Sequence, residues 1–295
     1  FTVPEELNSI IYSNQKLLYD VLYHAASATL NELAKDAKYL GANIGYICIL
    51  HTWGSAMNYH PHIHTIVLGG GLDDENKWKE TGGKFFLPYG VISKVFRGKY
   101  LDELKSLWND SKLKFHGTAE KYQNSYRFKE LLDKCYEKNW VTYCKETFNG
   151  AQSVINYLGK YTHRIAISNH RIKSMTDTTV TYAVKDYKNE GHWKEKTISG
   201  EEFIRRFMMH VPPKRFVRIR HYGLLSCRNK RKKITLCRNL LGCKKYISTL
   251  KNLNAVEMIR VLYHIDVCKC SSCGGNMVSP RKDKYSSSFR AHMRC

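Results

Sequence analysis

Between residues 8 and 40 apolar positions recur every three or four residues, at Leu17, Leu18, Val21, Leu22 and Ala25 and then at Leu30, Leu33, Ala34 and Ala37. That spacing predicts one or two amphipathic helices whose role is packing. The pattern then changes. Ile44-Gly-Tyr-Ile-Cys-Ile-Leu-His-Thr-Trp53 is rich in β-formers, 54–58 is turn-like and 62–68 reads as a second strand, so an antiparallel pair is expected. The glycine-bearing stretch 69–76 reads as a loop and 84–88 as a short strand. Helical spacing returns over 91–115 and 128–138, followed by a strand at 140–144. Gly150 opens a helix through Tyr161, short strands are expected at 164–167, 171–175 and 179–184, and a further helix at 201–209.

Strands adjacent in sequence with helices between some of them fit an α+β domain, an antiparallel sheet covered by helices. With 295 residues, 43% of them hydrophobic, there is material for one larger domain with small appendages. We divide the chain into a main domain at 1–200, a basic extension at 201–262 and a Cys-rich tail at 263–295. No run approaches the roughly 20 apolar residues that cross a bilayer, and the start carries no signal-peptide pattern, so a cytoplasmic protein is expected. The chain opens on Phe1 rather than Met, as a fragment or processed product would.

Charge narrows the class of partner. Lys and Arg outnumber Asp and Glu by 48 to 26, a formal charge of +22, which points to an acidic polymer and above all to nucleic acid. The excess is concentrated, since no acidic residue occurs from 203 to 256. Arg205, Arg206, Arg218, Arg220, Arg228, Lys230, Arg231, Lys232 and Lys233 in that stretch are candidate phosphate contacts. The plainer alternative is a solubilising surface.

His62 and His64, two apart on a strand, present their imidazoles on one face, a geometry suited to a metal ion. With 13 histidines in the chain about 0.6 such pairs arise by chance, so a structural histidine cluster is the alternative. His60 and His51 are both near, and His51 is the preferred third ligand because it can sit across the ladder, whereas Pro61 disrupts the strand beside His60.

A metal also implies a use for tyrosine, because a phenol is a poor nucleophile towards a phosphodiester unless a cation polarises the phosphate. Three pairs stand at helical i,i+4 spacing: Tyr19 with Tyr23, Tyr122 with Tyr126, and Tyr157 with Tyr161. The first belongs to the apolar face of the opening helices and the second to a polar stretch, so both read as structural. The third borders the stripe Ala151, Val154, Ile155 and Leu158, with Lys160 between the hydroxyls as a phosphate holder. Gly159 in that helix suggests close approach of DNA or sheet.

Leu50-His-Thr-Trp-Gly54, His60-Pro-His-Ile-His64, Gly69-Gly-Gly-Leu72, Tyr157-Leu-Gly-Lys-Tyr-Thr-His-Arg-Ile-Ala-Ile-Ser-Asn-His170, Phe203-Ile-Arg-Arg-Phe207 and Phe216-Val-Arg-Ile-Arg-His-Tyr-Gly-Leu-Leu225 resemble the two-tyrosine HUH transposases of bacterial rolling-circle insertion sequences. The likeness covers most of residues 1–245. It implies a palm-like antiparallel sheet, His62 and His64 as ligands of Mg²⁺ or Mn²⁺, and Tyr157 and Tyr161 as nucleophiles. It also implies single-stranded DNA of insertion-sequence ends and target as substrate, a 5′-phosphotyrosine intermediate and work at the bacterial nucleoid. Members of the family carry a zinc-binding domain before the nuclease, and this chain begins where that domain would end. The alternatives are a replication initiator or relaxase-type nickase with the same residues, and an inactive DNA-binding remnant.

The chain has ten cysteines, and a cytosolic setting makes them thiols or metal ligands rather than a disulfide framework. Cys270 with Cys273, and His292 with Cys295, form two ligand pairs that suit a structural tetrahedral zinc; Cys268, Cys237, Cys243 and His264 are alternative donors.

Overall fold

The opening periodicity resolves into two helices, α1 (Asn8–Ser13) and α2 (Gln15–Lys35), because Asn14 between them leaves the helical region at φ −133°, ψ 39°. The break is satisfied internally: the buried Asn14 amide donates to Ile10 O and Lys114 O and accepts from Lys114 N, at 2.7–2.9 Å. In this computed structural model the described residues are 1–82, 87–145, 148, 150–162, 165–186, 191–243, 250 and 252–277, without the side chains at 151, 160 and 161. They fall into two compact units, Phe1–Cys237 and Arg238–Cys295.

After α2 come β1 (Asn43–Trp53), β2 (Tyr59–Leu72), β3 (Trp78–Glu80), α3 (Tyr89–Asn109), α4 (Ser125–Glu137) and α5 (Ala151–Thr162). Then follow β4 (Ile172–Met175), β5 (Thr179–Asp186), β6 (His192–Ser199), α6 (Gly200–Met208), β7 (Ile219–Gly223), α7 (Lys230–Leu240) and α8 (Ala255–Tyr263). One antiparallel sheet has the order β3-β2-β1-β7 and a second has β4-β5-β6, so the fold is α+β with antiparallel sheets flanked by helices. The main core lies between α2, α3 and the first sheet, around Leu18, Leu22, Tyr46, Phe96, Tyr100 and Trp140. Met57, Ala166, Tyr182 and Val184 form a second core behind the second sheet.

Several expectations are corrected. The stretch 69–76 is not all loop: β2 continues to Leu72, because Gly70 and Gly71 let neighbouring backbone come close. A Cβ at Gly70 would lie 2.5 Å from Lys79 O, and one at Gly71 2.6 Å from Asn43 O. The helix expected over 91–115 ends at Asn109, and Ser111 turns left-handed at φ 54°. Residues 140–144 form no strand; Trp140 is held instead by its ring, which packs on Phe96 and donates from Nε1 to Cys135 O at 2.9 Å. Of the strand expected at 164–167, residue 164 lies outside the described residues and 165–167 are irregular, with Ala166 buried at φ 55°. Of that expected at 84–88, residues 84–86 lie outside the described residues and Leu87 and Pro88 are not in a strand. The strands β3, β6 and β7 and the helices α7 and α8 correspond to no element expected from the sequence. Among the described residues no helix is long and apolar enough to cross a membrane.

In the second unit, α8 starts at a full capping box between Asn254 and Glu257.

Candidate metal centre and nucleophile

The β1–β2 hairpin builds the site by register. His51 pairs directly with His62, and His64 follows two residues on, so all three rings share a face. Their ring centroids lie 4.6–5.5 Å apart, and one donor nitrogen from each falls within 4.8 Å of the others. Pro61 sits where the ladder has a bulge: between the pairs His51–His62 and Trp53–Tyr59, two residues of β2 face the single Thr52. The missing N–H of Pro61 therefore costs no ladder bond.

The hairpin's turn is clamped by the second sheet and α6. Ser55 O accepts from Arg171, Ser55 Oγ accepts from Lys185 N at 2.6 Å, and Ala56 O accepts from Tyr182 and Arg206 at 3.2 and 3.1 Å. The buried His210 adds a clamp that the sequence reading missed. Its Nε2 donates to Met57 O at 3.2 Å, which leaves Nδ1 to accept from the Thr52 hydroxyl at 3.1 Å. No local signal marks it, since its partners lie more than 150 residues away.

The donor chemistry fits a divalent cation. His62 Nδ1 lies 2.7 Å from His60 O, and since a carbonyl only accepts, the proton sits on Nδ1 and Nε2 keeps its lone pair. That Nε2 lies 3.1 Å from His64 Nε2. Two nitrogens sharing a cation at about 2.1 Å are roughly 3.0–3.4 Å apart, so the spacing suits a shared ion. Burial, reinforced by the neighbouring rings, holds His62 well below the usual imidazole range and His64 down to about 3, so both are neutral, the form that binds metal.

The structure brings Tyr157 of α5 to this centre. Its hydroxyl lies 2.9 Å from His64 Nδ1, and Phe148 packs edge-on against its ring at 5.3 Å. Arg218 links the same parts: Nη2 donates to Thr162 O at the end of α5 at 3.0 Å, and its guanidinium lies 6.0 Å from the ring centroid of Trp53, which stacks on His51 at 4.4 Å. Its Nη1 is buried and has no hydrogen-bond partner among the described residues. The side chains of Lys160 and Tyr161 lie outside those described. On α5, Ile155 of the anticipated apolar stripe is 59% exposed, and a Cβ at Gly159 would meet no neighbour among the described residues.

The other tyrosine pairs stand elsewhere. Tyr19 and Tyr23 are fully enclosed in the core, where burial raises both hydroxyls, and Tyr126 projects into solvent.

The basic candidates divide. Arg205 and Arg206 both bond Glu202, and Arg220 bonds Asp20 at 2.5 Å while lying over the Tyr23 ring. Arg228, Lys230, Arg231 and Lys232 are exposed, and Lys233 reaches Asn76 Oδ1 at 3.2 Å. In the second unit Cys270 and Cys273 sit on a tight turn closed by Gly274 N to Cys270 O and Cys270 N to Gly275 O, each 2.9 Å. Backbone N–H groups of Cys273 and Ser272 lower the Cys270 thiol. His292 and Cys295 lie outside the described residues.

The sheet thus presents three imidazoles beside a tyrosine hydroxyl. Residues 45–233 match the family described as "Putative transposase", and the chain belongs to that transposase family. It is 40% identical over 243 residues, 82% of this chain and 61% of the relative, to "Putative transposase y4qJ" of Sinorhizobium fredii. It is 28% identical over 289 residues, 94% of this chain and 65% of the relative, to "Transposase for insertion sequence element IS801" of Pseudomonas savastanoi pv. phaseolicola. The chain thus spans less than two thirds of the length of either relative. No solved structure matches it.

Proposed function

We propose that this chain is the HUH-type nuclease part of a transposase that nicks and transfers single-stranded DNA at insertion-sequence ends and targets by a rolling-circle route. The observation that carries this reading is the contact of Tyr157 with His64, whose other nitrogen faces His62. The family membership supports the transposase reading.

In the proposed reaction the Tyr157 oxygen attacks the scissile phosphorus. The phenol gives up its proton to solvent, a tyrosyl O–P bond forms and the P–O3′ bond breaks, leaving a 5′-phosphotyrosine and a 3′ oxygen that takes up a proton to become a free hydroxyl. Tyr161, one helical turn along α5, serves the later cleavage and strand transfer. His51, His62 and His64 would hold the divalent ion, which when bound supplies positive charge that polarises the phosphate, a contribution of several kcal/mol. Of Mn²⁺ and Mg²⁺, an all-imidazole donor set favours Mn²⁺. Were Nε2 of His64 to hold the ion, the neutral ring would carry its proton on Nδ1. It would then donate to the Tyr157 oxygen and aim it, as groups around a metal site commonly orient one another.

Arg218 and Lys160 are assigned to the phosphate oxygens, and the buried Nη1 of Arg218, without a partner among the described residues, supports its share. Arg228, Lys230, Arg231, Lys232 and Lys233 follow the strand's backbone, Arg205, Arg206 and Arg220 contribute to the basic surface, and Cys270, Cys273, His292 and Cys295 hold a structural zinc. The protein would act in the bacterial cytoplasm at the nucleoid.

The test is to incubate the protein with Mn²⁺ and single-stranded oligonucleotides from its element's ends and look for an adduct that survives SDS. Wild type forms it and Tyr157→Phe/Tyr161→Phe does not. No wild-type adduct, or an undiminished one in the double variant, sinks the reading.

A further inference from the structure

On β5 the side chains of Val180, Tyr182 and Val184 are buried. Strand alternation therefore turns Ala183 and Lys185 to the opposite face. The register pairs Lys185 with Trp193 and Ala183 with Glu195, so Trp193 stands on that outer face too. A tryptophan on an outward sheet face has no core to fill, and this one is 57% exposed.

Cations surround it. The Arg171 guanidinium lies 5.7 Å and Lys185 Nζ 5.5 Å from the Trp193 ring centroid, both within cation–π range. A cavity of about 370 Å³ opens beside the ring, floored by the small Ala183 and edged by His170, Lys173, Lys194 and Glu195.

We propose that this outer face is a stacking site for a base of single-stranded DNA, with Trp193 as the platform and the surrounding cations on the flanking phosphates. A flat aromatic face beside clustered Lys and Arg is what unpaired nucleic acid recognises, since every base has a π-face and every linkage a negative charge. Duplex DNA hides those faces within its own stack. The site is mechanically joined to the histidine hairpin: Arg171, which lies against Trp193, also donates to Ala183 O and to Ser55 O in the β1–β2 turn. A strand held at Trp193 is thereby held relative to the strands that carry His51, His62 and His64. This rests on single-stranded DNA being the substrate.

The test is made in EDTA, so that binding is read without cleavage. Intrinsic fluorescence and anisotropy are followed as the full chain is titrated with a labelled dT20, an abasic 20-mer of equal charge, a 20-base-pair duplex and dTMP. For wild type, dT20 quenches tryptophan emission and binds more tightly than the abasic strand. Trp193→Ala weakens dT20 binding roughly five- to a hundred-fold and removes the preference over the abasic strand, while Trp193→Phe stays within about three-fold of wild type. Duplex affinity changes less than two-fold in both variants.

Equal binding of dT20 and abasic strand by wild type overturns the proposal, as does an unchanged dT20 affinity in Trp193→Ala at an unaltered circular dichroism spectrum. Quenching by dTMP at the concentrations that suffice for dT20 also overturns it, in favour of a free-nucleotide site. An absent SDS-stable adduct would defeat the nuclease reading while leaving this stacking result to stand or fall by itself.

Discussion

The His64 Nδ1 and the Tyr157 hydroxyl lie 2.9 Å apart across 93 residues of sequence, while Nε2 of the same imidazole lies 3.1 Å from His62 Nε2. One ring therefore touches both the proposed metal position and the proposed nucleophile, whereas His62 faces the metal side alone.

His62→Ala and His64→Ala should consequently fail differently. Both lose a donor, lowering metal affinity by at least the roughly 10–100-fold typical of damage around such sites. Raising Mn²⁺ should restore much of the adduct formation in His62→Ala and little in His64→Ala, because only the second also loses the group that aims Tyr157. Adduct yield against Mn²⁺ concentration measures this, and equal rescue would refute the distinct role of His64.

Stability should depend on pH through the same rings. His64 is held at about 3 and His62, His60 and His210 are lowered, in each case chiefly by burial. In the unfolded chain these groups titrate near 6.5, so below that pH the unfolded state binds more protons than the folded one. The contribution is complete above pH of about 7 and is lost progressively as pH falls from about 6.5 towards 3. Urea midpoints of the metal-free protein should drop between pH 7 and 5; a flat or rising midpoint would contradict the burial of these imidazoles.

His210→Ala should destabilise the protein by about 2 kcal/mol, since it removes two hydrogen bonds and leaves Thr52 Oγ1 and Met57 O buried without them. The hairpin that positions the histidines loosens with it, so Mn²⁺ affinity should fall as well. Urea unfolding and metal titration read the two effects separately.

Gly223→Ala should cost at least about 2 kcal/mol. Gly223 ends β7 at φ 57°, and a Cβ there would lie 1.9 Å from Ile44 O, so β7 could not keep its pairing with β1. A thermal midpoint within a degree or two of wild type would count against the strand's placement.

Much of the fold was legible where one periodicity dominated. The helices around Leu18, Leu101 and Leu131, and the strands ending at Trp53 and beginning near His62, each bury one clear face. β6 was invisible because it lies at a sheet edge, exposed on both faces over most of its length, and so lacks the apolar alternation that betrays a strand. β7 and α7 were masked by their own charge, which reads as a basic surface before it reads as secondary structure. Trp140 shows the opposite failure, a strand-like composition that serves as a single aromatic anchor.

Sequence alone determined the ingredients: a histidine pair on a strand with a third histidine available opposite, tyrosines at one-turn spacing, and a basic excess suited to nucleic acid. These follow from local periodicity and composition, which act over a few residues. Tertiary structure decided which ingredients meet. Ladder register set His51 opposite His62, helix docking brought Tyr157 to His64, and internal carboxylates engaged Arg205, Arg206 and Arg220 while leaving Arg228 and Lys230 exposed. The Tyr157–His64 contact and the Arg220–Asp20 pair depend on packing between distant segments, whereas the His51–His62 register lies within one hairpin and Glu202 meets Arg205 and Arg206 at local helical spacing.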